Sequence, residues 1–179
     1  MKLDIMYSKF MNNISLKKFI LISFLSIIIS RLLPHPPNFT STIAVAFYLP
    51  ALFGAKFIIV ALSAFIISDL ILGLHSLVFF TWGSLFLIAY FAKYFQKFYF
   101  RIFGVSLSCI IFFLVSNFGV WSLSDLYINN LEGLILCYTM AIPFLQSSLI
   151  GTIIFSILIE FLLCLNNTKN FVRKINTIN

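Results

Sequence analysis

Arg31, Asp69, His35 and His75 are the residues least easily explained as packing, because each interrupts or borders a long apolar run. A charge in such surroundings needs a counter-charge, a hydrogen-bonding partner or a polar ligand, since burying it alone is expensive. Asp69 lies about one turn inside the end of an apolar segment, at a depth that Arg31 can reach from the first segment. Their chemistry is then either an ion pair locking two helices or direct contact with a ligand. His35 stands between Pro34 and Pro36 with no second metal ligand at suitable spacing, so it reads as a loop hydrogen-bonder before it reads as a metal site. Asn38 closes the same loop. His75 occupies a tight turn, and only a three-dimensional convergence of His35, His75 and Asp69 would suggest an intramembrane enzyme.

Two further groups have spacing that matters. Asn117 and Trp121 are four apart and share a helical face, placing an amide beside a large ring; this suits a ligand wall or an interfacial anchor. Tyr138 and Gln146 flank Pro143, where an interrupted helix exposes backbone groups to a polar ligand or to a neighbouring helix. Phosphate-loop, HExxH and GxSxG patterns are all missing, and the acidic residues form no paired set. Neither enzymatic activity, a cofactor nor a bound metal is expected.

The elements that must position these residues follow from composition. Of 179 residues, 61% are hydrophobic and only 9% charged, against roughly 25% charged in a soluble domain. That leaves too little polar surface for a water-soluble globule. The net charge of +7 does not indicate nucleic acid, because Lys and Arg sit in short clusters between apolar runs and not along one polar face. Cys109, Cys137 and Cys164 fall one per apolar segment without CxxC spacing, and read as inert buried thiols.

The spacing predicts an all-α bundle of six transmembrane helices: Phe19 to Leu33, Thr42 to Ala55 with a kink at Pro50, Phe57 to Leu74, Leu77 to Ala92, Ile102 to Phe118, and Phe144 to Leu165. Pro34, Pro36 and Pro37 stiffen the first loop, and His75-Ser76 makes a hairpin of the third and fourth helices. The apolar stretch from Gly133 to Leu165 would be roughly 50 Å long as one helix, against a bilayer core of about 30 Å. Pro143 is therefore expected to divide it, leaving Gly133 to Ile142 as a short interfacial or re-entrant helix.

Basic residues are retained on the cytoplasmic side. With both ends inside, Lys2, Lys9, Lys17, Lys18, Lys56, Lys93, Lys97, Arg101, Lys169, Arg173 and Lys174 are cytoplasmic, eleven of the twelve. Residues 93–101 then form a basic, aromatic-rich interfacial loop. The expected organisation is a cytoplasmic segment over 1–18, a six-helix domain over 19–165 and a basic cytoplasmic tail over 166–179, in a bacterial inner membrane. Ser26 and Ser30, and Ala51 and Ala55, make small-residue faces for close packing within the bundle or for docking a second membrane protein.

Four blocks together carry a resemblance. Arg31-Leu-Leu-Pro-His-Pro-Pro-Asn-Phe-Thr40, Ser68-Asp-Leu-Ile-Leu-Gly-Leu-His75, Ser116-Asn-Phe-Gly-Val-Trp121, and Gly133-Leu with Cys137-Tyr138 and Ala141-Ile-Pro-Phe144 resemble an uncharacterised bacterial family of S components, the substrate-binding subunits of energy-coupling factor transporters. The resemblance implies a six-helix subunit that captures a vitamin-like micronutrient from outside. It also implies a T-component scaffold and two cytoplasmic ATPases as partners, with the first outer loop gating the pocket. The small-residue docking face of such subunits is approximated here by Ser26 and Ser30. The competing expectation is a structural or assembly protein that packs against another membrane protein.

Overall fold

In a computed structural model, residues 13–176 are described, with side chains over 16–164, and the described residues form seven α-helices and no strand. Glycine and proline set most of the boundaries. Helix α1 (Asn13–Leu32) ends at the Pro34–Pro37 segment, and α2 (Thr42–Phe53) runs through Pro50 to stop at Gly54, whose φ of 101° favours glycine. A single 3₁₀ turn (Ala55–Phe57) leads into α3 (Ile58–Leu72), which stops at Gly73, also at positive φ. Helix α4 (Val78–Ala92) returns antiparallel after the His75-Ser76 turn. Then follow α5 (Phe98–Leu123), α6 (Leu131–Met140) and α7 (Ile142–Asn176).

Helix α2 is the axle of the bundle. Every residue from Thr42 to Ala51 is buried, and α2 packs against α1, α3, α4, α5 and α7. A helix apolar on every side has to be enclosed in this way or face lipid. Around it, α1 packs chiefly on α3, α4 on α5, and α5 on α7, while α6 bridges α5 and α7. Tyr48, Phe47, Leu49, Ile27, Leu85 and Ile88 form the innermost layer. The outside is equally apolar: Phe79 is 82% exposed and Ile59 68%.

Three segments are long and apolar enough to cross a membrane: Ala55–Leu72, Phe98–Leu123 and Ile142–Cys164. Helices α2, α4 and α6 are apolar but shorter. At 12 residues, α2 extends roughly 18 Å and does not match a core of about 30 Å.

Several expected boundaries shift. Helix α5 begins at Phe98, one turn before Ile102, so Arg101 belongs to the helix and not to a basic loop. The apolar stretch after the α5–α6 loop is divided as expected, at Ala141. Pro143 sits in the first turn of α7, where its missing N–H costs no intrahelical bond. Helix α7 continues unbroken to Asn176, so the expected tail prolongs the same helix; its side chains, Lys169, Arg173 and Lys174 among them, lie outside the described residues, as do Lys2 and Lys9. Most of the expected segment 1–18 lies outside them too. Cys109 and Cys137 are buried as expected, whereas Cys164 is exposed.

Candidate functional site

The end of the bundle that carries the proline loop holds two adjoining cavities. The first, of about 210 Å³, is lined by Arg31, His35, Asn38, Thr40, His75 and Thr81, with Phe65 and Phe112 among its apolar walls. The second, of about 320 Å³, shares Asn38, Thr81 and Phe112 with the first and continues past Asn117 and Tyr127 to Met140, Ala141 and Phe144. One chamber is rich in polar groups and the other is mostly apolar. Five of the nine residues singled out in the sequence line one or both: Arg31, His35, Asn38, His75 and Asn117.

Arg31 enters the first cavity from the last turn of α1, held by four contacts. Its Nη2 lies 2.6 Å from Asp69 Oδ1, and its Nη1 donates to Ser68 Oγ at 3.0 Å and to the Phe65 carbonyl at 3.3 Å. The guanidinium stacks on the Phe65 ring, 3.9 Å from its centre. Asp69, 1% exposed, lies behind Arg31 and does not line either cavity. Its second oxygen, Oδ2, accepts from Trp82 Nε1 at 2.7 Å. Sequence reasoning missed Trp82, although the signal was present: Asp69 and Trp82 are equidistant from the His75-Ser76 turn, and an antiparallel hairpin places such residues side by side.

Asn38 turns the chain at the cavity mouth. Its φ of 62° makes it the only described non-glycine residue in the left-handed region, which asparagine tolerates better than most residues. Phe39 N donates to the Pro36 carbonyl and Thr40 N to the Asn38 carbonyl, so the loop is tied to itself before α2 begins. The two histidines are fixed by their backbone neighbours. His35 Nδ1 lies 2.7 Å from the Pro36 carbonyl, which only accepts, so Nδ1 carries the proton. His75 Nδ1 instead accepts from the Leu77 amide at 3.2 Å.

The other sequence candidates lie away from the first cavity. Asn117 lines the second cavity while its Nδ2 donates to the Phe113 carbonyl. Trp121 Nε1 donates to the Ile128 carbonyl and its ring packs on Phe118, clasping the α5–α6 loop outside both cavities. Tyr138 donates to the Leu114 carbonyl at 2.7 Å and its ring packs at a tilt on Phe113, tying α6 to α5. Gln146 is exposed and lines neither cavity. Ser26 and Ser30 face inward, where both hydroxyls meet Ser41 Oγ at 3.2 Å. Ala51 is buried, and only Ala55 of the small-residue set is exposed.

A second polar cluster, unseen in the sequence, lies at the opposite end. Arg101, 2% exposed, makes a two-pronged contact with Glu160, Nε to Oε1 at 2.7 Å and Nη2 to Oε2 at 2.9 Å. Tyr48 from α2 donates to the same Oε1 at 3.0 Å. The end expected to be chemically plain therefore joins α2, α5 and α7 through a partly buried ion pair. Among the described residues, no three His, Cys, Asp or Glu side chains group as a metal site would require.

These features define a helical protein with an apolar exterior, wrapped on a central helix and carrying a polar-mouthed cavity at one end. Residues 12–171 match the model of a family of unknown function, DUF6580, and the chain belongs to that family. It matches no curated protein and no solved structure.

Proposed function

We propose that the protein is a membrane-embedded substrate-binding subunit, the S component of an energy-coupling factor transporter, that captures a vitamin-like small molecule from outside the cell. In this reading α1 to α5 and α7 cross a bacterial inner membrane, both ends are cytoplasmic and α6 lies at the outer interface. The observation that carries the proposal is the pair of joined cavities beneath the Pro34–Asn38 loop, with Arg31, His35, Asn38 and His75 at one end and an apolar chamber at the other. Binding sites of this kind pair a mostly apolar wall with a few placed polar groups. The distribution of Lys and Arg supports the orientation, and the resemblance of the four sequence blocks supports the class.

Transport then requires a T-component scaffold and a cytoplasmic ATPase pair, since the chain holds no phosphate-binding loop of its own. The test is native mass spectrometry of full-length protein purified in mild detergent from its own cells, with a melting-temperature screen against vitamins. A co-purified small molecule, or a vitamin that raises the melting temperature, is the expected result. Folded protein that yields neither, and that co-purifies with a different stable membrane partner, would replace capture with an assembly role.

A further inference from the structure

We infer that the ligand of the Arg31 cavity carries no net charge and presents a hydrogen-bond acceptor and donor side by side, as a carboxamide or a lactam ring does. The inference rests on the capture reading above and specifies its ligand.

The first argument is charge. Arg31 is the one permanently charged side chain among those lining the two cavities, and Asp69, at 2.6 Å, already balances it. No carboxylate lines either chamber, so an ammonium finds no counter-charge there. A carboxylate or phosphate would give up hydration for an arginine whose charge Asp69 already balances, so the exchange returns little. Charged ligands of both signs are disfavoured together.

The second argument is hydrogen bonding. Two of the five guanidinium N–H groups serve Phe65 and Ser68 and a third faces Asp69, which leaves donors on Nε and Nη2 for a ligand oxygen. His35 Nδ1 donates to the Pro36 carbonyl, and in that Nδ1–H tautomer Nε2 is left to accept from a ligand donor. Nδ1 of His75 accepts from Leu77, so its neutral ring has Nε2 as a donor. The mouth thus offers both donors and an acceptor, the complement of an uncharged amide edge.

The experiment compares probes of one shape and different charge: nicotinamide, nicotinate and N1-methylnicotinamide, with biotinamide and biotin as a larger pair. Affinity is read from melting temperature and calorimetry on the full chain in detergent. The neutral member is expected to bind at least about tenfold more tightly than its charged counterparts. In Asp69→Asn, which leaves Arg31 unbalanced, preference shifts towards the anion, whereas Trp82→Phe, which keeps the carboxylate, retains the wild-type order. Should Asp69→Asn fail to fold, the charge of any molecule recovered with the wild-type protein decides in its place. An anion or cation bound as well as the neutral probe, a charged native ligand, or a folded Asp69→Asn with unchanged preference overturns the inference while leaving capture standing. No binding by any probe and no recovered molecule removes both.

Discussion

Arg31 at the end of α1 and Asp69 near the end of α3 meet at 2.6 Å, with the carboxylate also accepting from Trp82 of α4, so one buried charge pair fastens three helices beneath the cavity. Removing either partner leaves the other charged in apolar surroundings, which costs about 3–5 kcal/mol in buried pairs. Arg31 retains 14% exposure against 1% for Asp69, so Asp69→Leu, which strands the better-solvated guanidinium, is expected to cost less than Arg31→Met, which strands the buried carboxylate. The double variant Arg31→Met with Asp69→Leu should recover to within about 1–2 kcal/mol of wild type, because a neutral pair needs no compensation. Thermal unfolding in detergent measures all three. A double variant no better than the sum of the singles would mean that the two charges act independently.

At the opposite end, Glu160 answers both Arg101 and Tyr48. Glu160→Ala leaves Arg101 buried without that carboxylate and is expected to cost about 3–5 kcal/mol. Tyr48→Phe deletes one donor to the carboxylate and should cost about 1.5–3 kcal/mol, less than loss of the ion pair. The ranking is checked by denaturant titration of the purified chain. A Tyr48→Phe loss as large as that of Glu160→Ala would show that the hydroxyl, and not the ion pair, organises this end.

That second cluster also shows where the sequence stopped being legible. Clustered positive charge marks a loop at Lys93 and Lys97, both exposed between α4 and α5. Arg101 has the same charge but sits inside α5, because Glu160, 59 positions later, neutralises it. Nothing local announces a pairing at that separation. The ion pair of Arg31 and Asp69 was legible because both residues sit near the same ends of their apolar runs. Glycine and proline made the breaks after α1, α3 and α6 readable. The burial of α2 was not: α2 and α3 are both apolar throughout, and apolar composition alone does not distinguish a helix enclosed by protein from one facing lipid.

Asn38 supports a prediction about the cavity mouth. Its left-handed backbone, φ 62°, is open to glycine and hostile to a branched side chain. Asn38→Gly is expected to fold with little change in stability, while Asn38→Val should cost about 1–2 kcal/mol. Since Asn38 lines both cavities, the glycine variant isolates its side chain: ligand affinity should fall while the melting temperature of the empty protein stays near wild type. Equal stability of the valine variant would show that the loop relaxes out of this conformation.

The proposed orientation is open to direct labelling. In the six-span reading, α4 carries the chain once across the membrane between the His75-Ser76 turn and Lys93, so the two ends of α4 face opposite compartments. Cys109 and Cys137 are buried and Cys164 is exposed, so Cys164→Ser gives a background of low reactivity. In that background, Ser76→Cys should react with a membrane-impermeant maleimide added to intact cells, and Lys93→Cys only after the cells are opened. Asn129→Cys, in the exposed loop between α5 and α6, should behave like Ser76→Cys, because α5 returns the chain to the outer side. Reaction of Lys93→Cys in intact cells with Ser76→Cys protected would invert the molecule and place the Arg31 cavity on the cytoplasmic side. That result would end the case for capture from outside. Equal reaction of both would mean that α4, at 15 residues, does not cross.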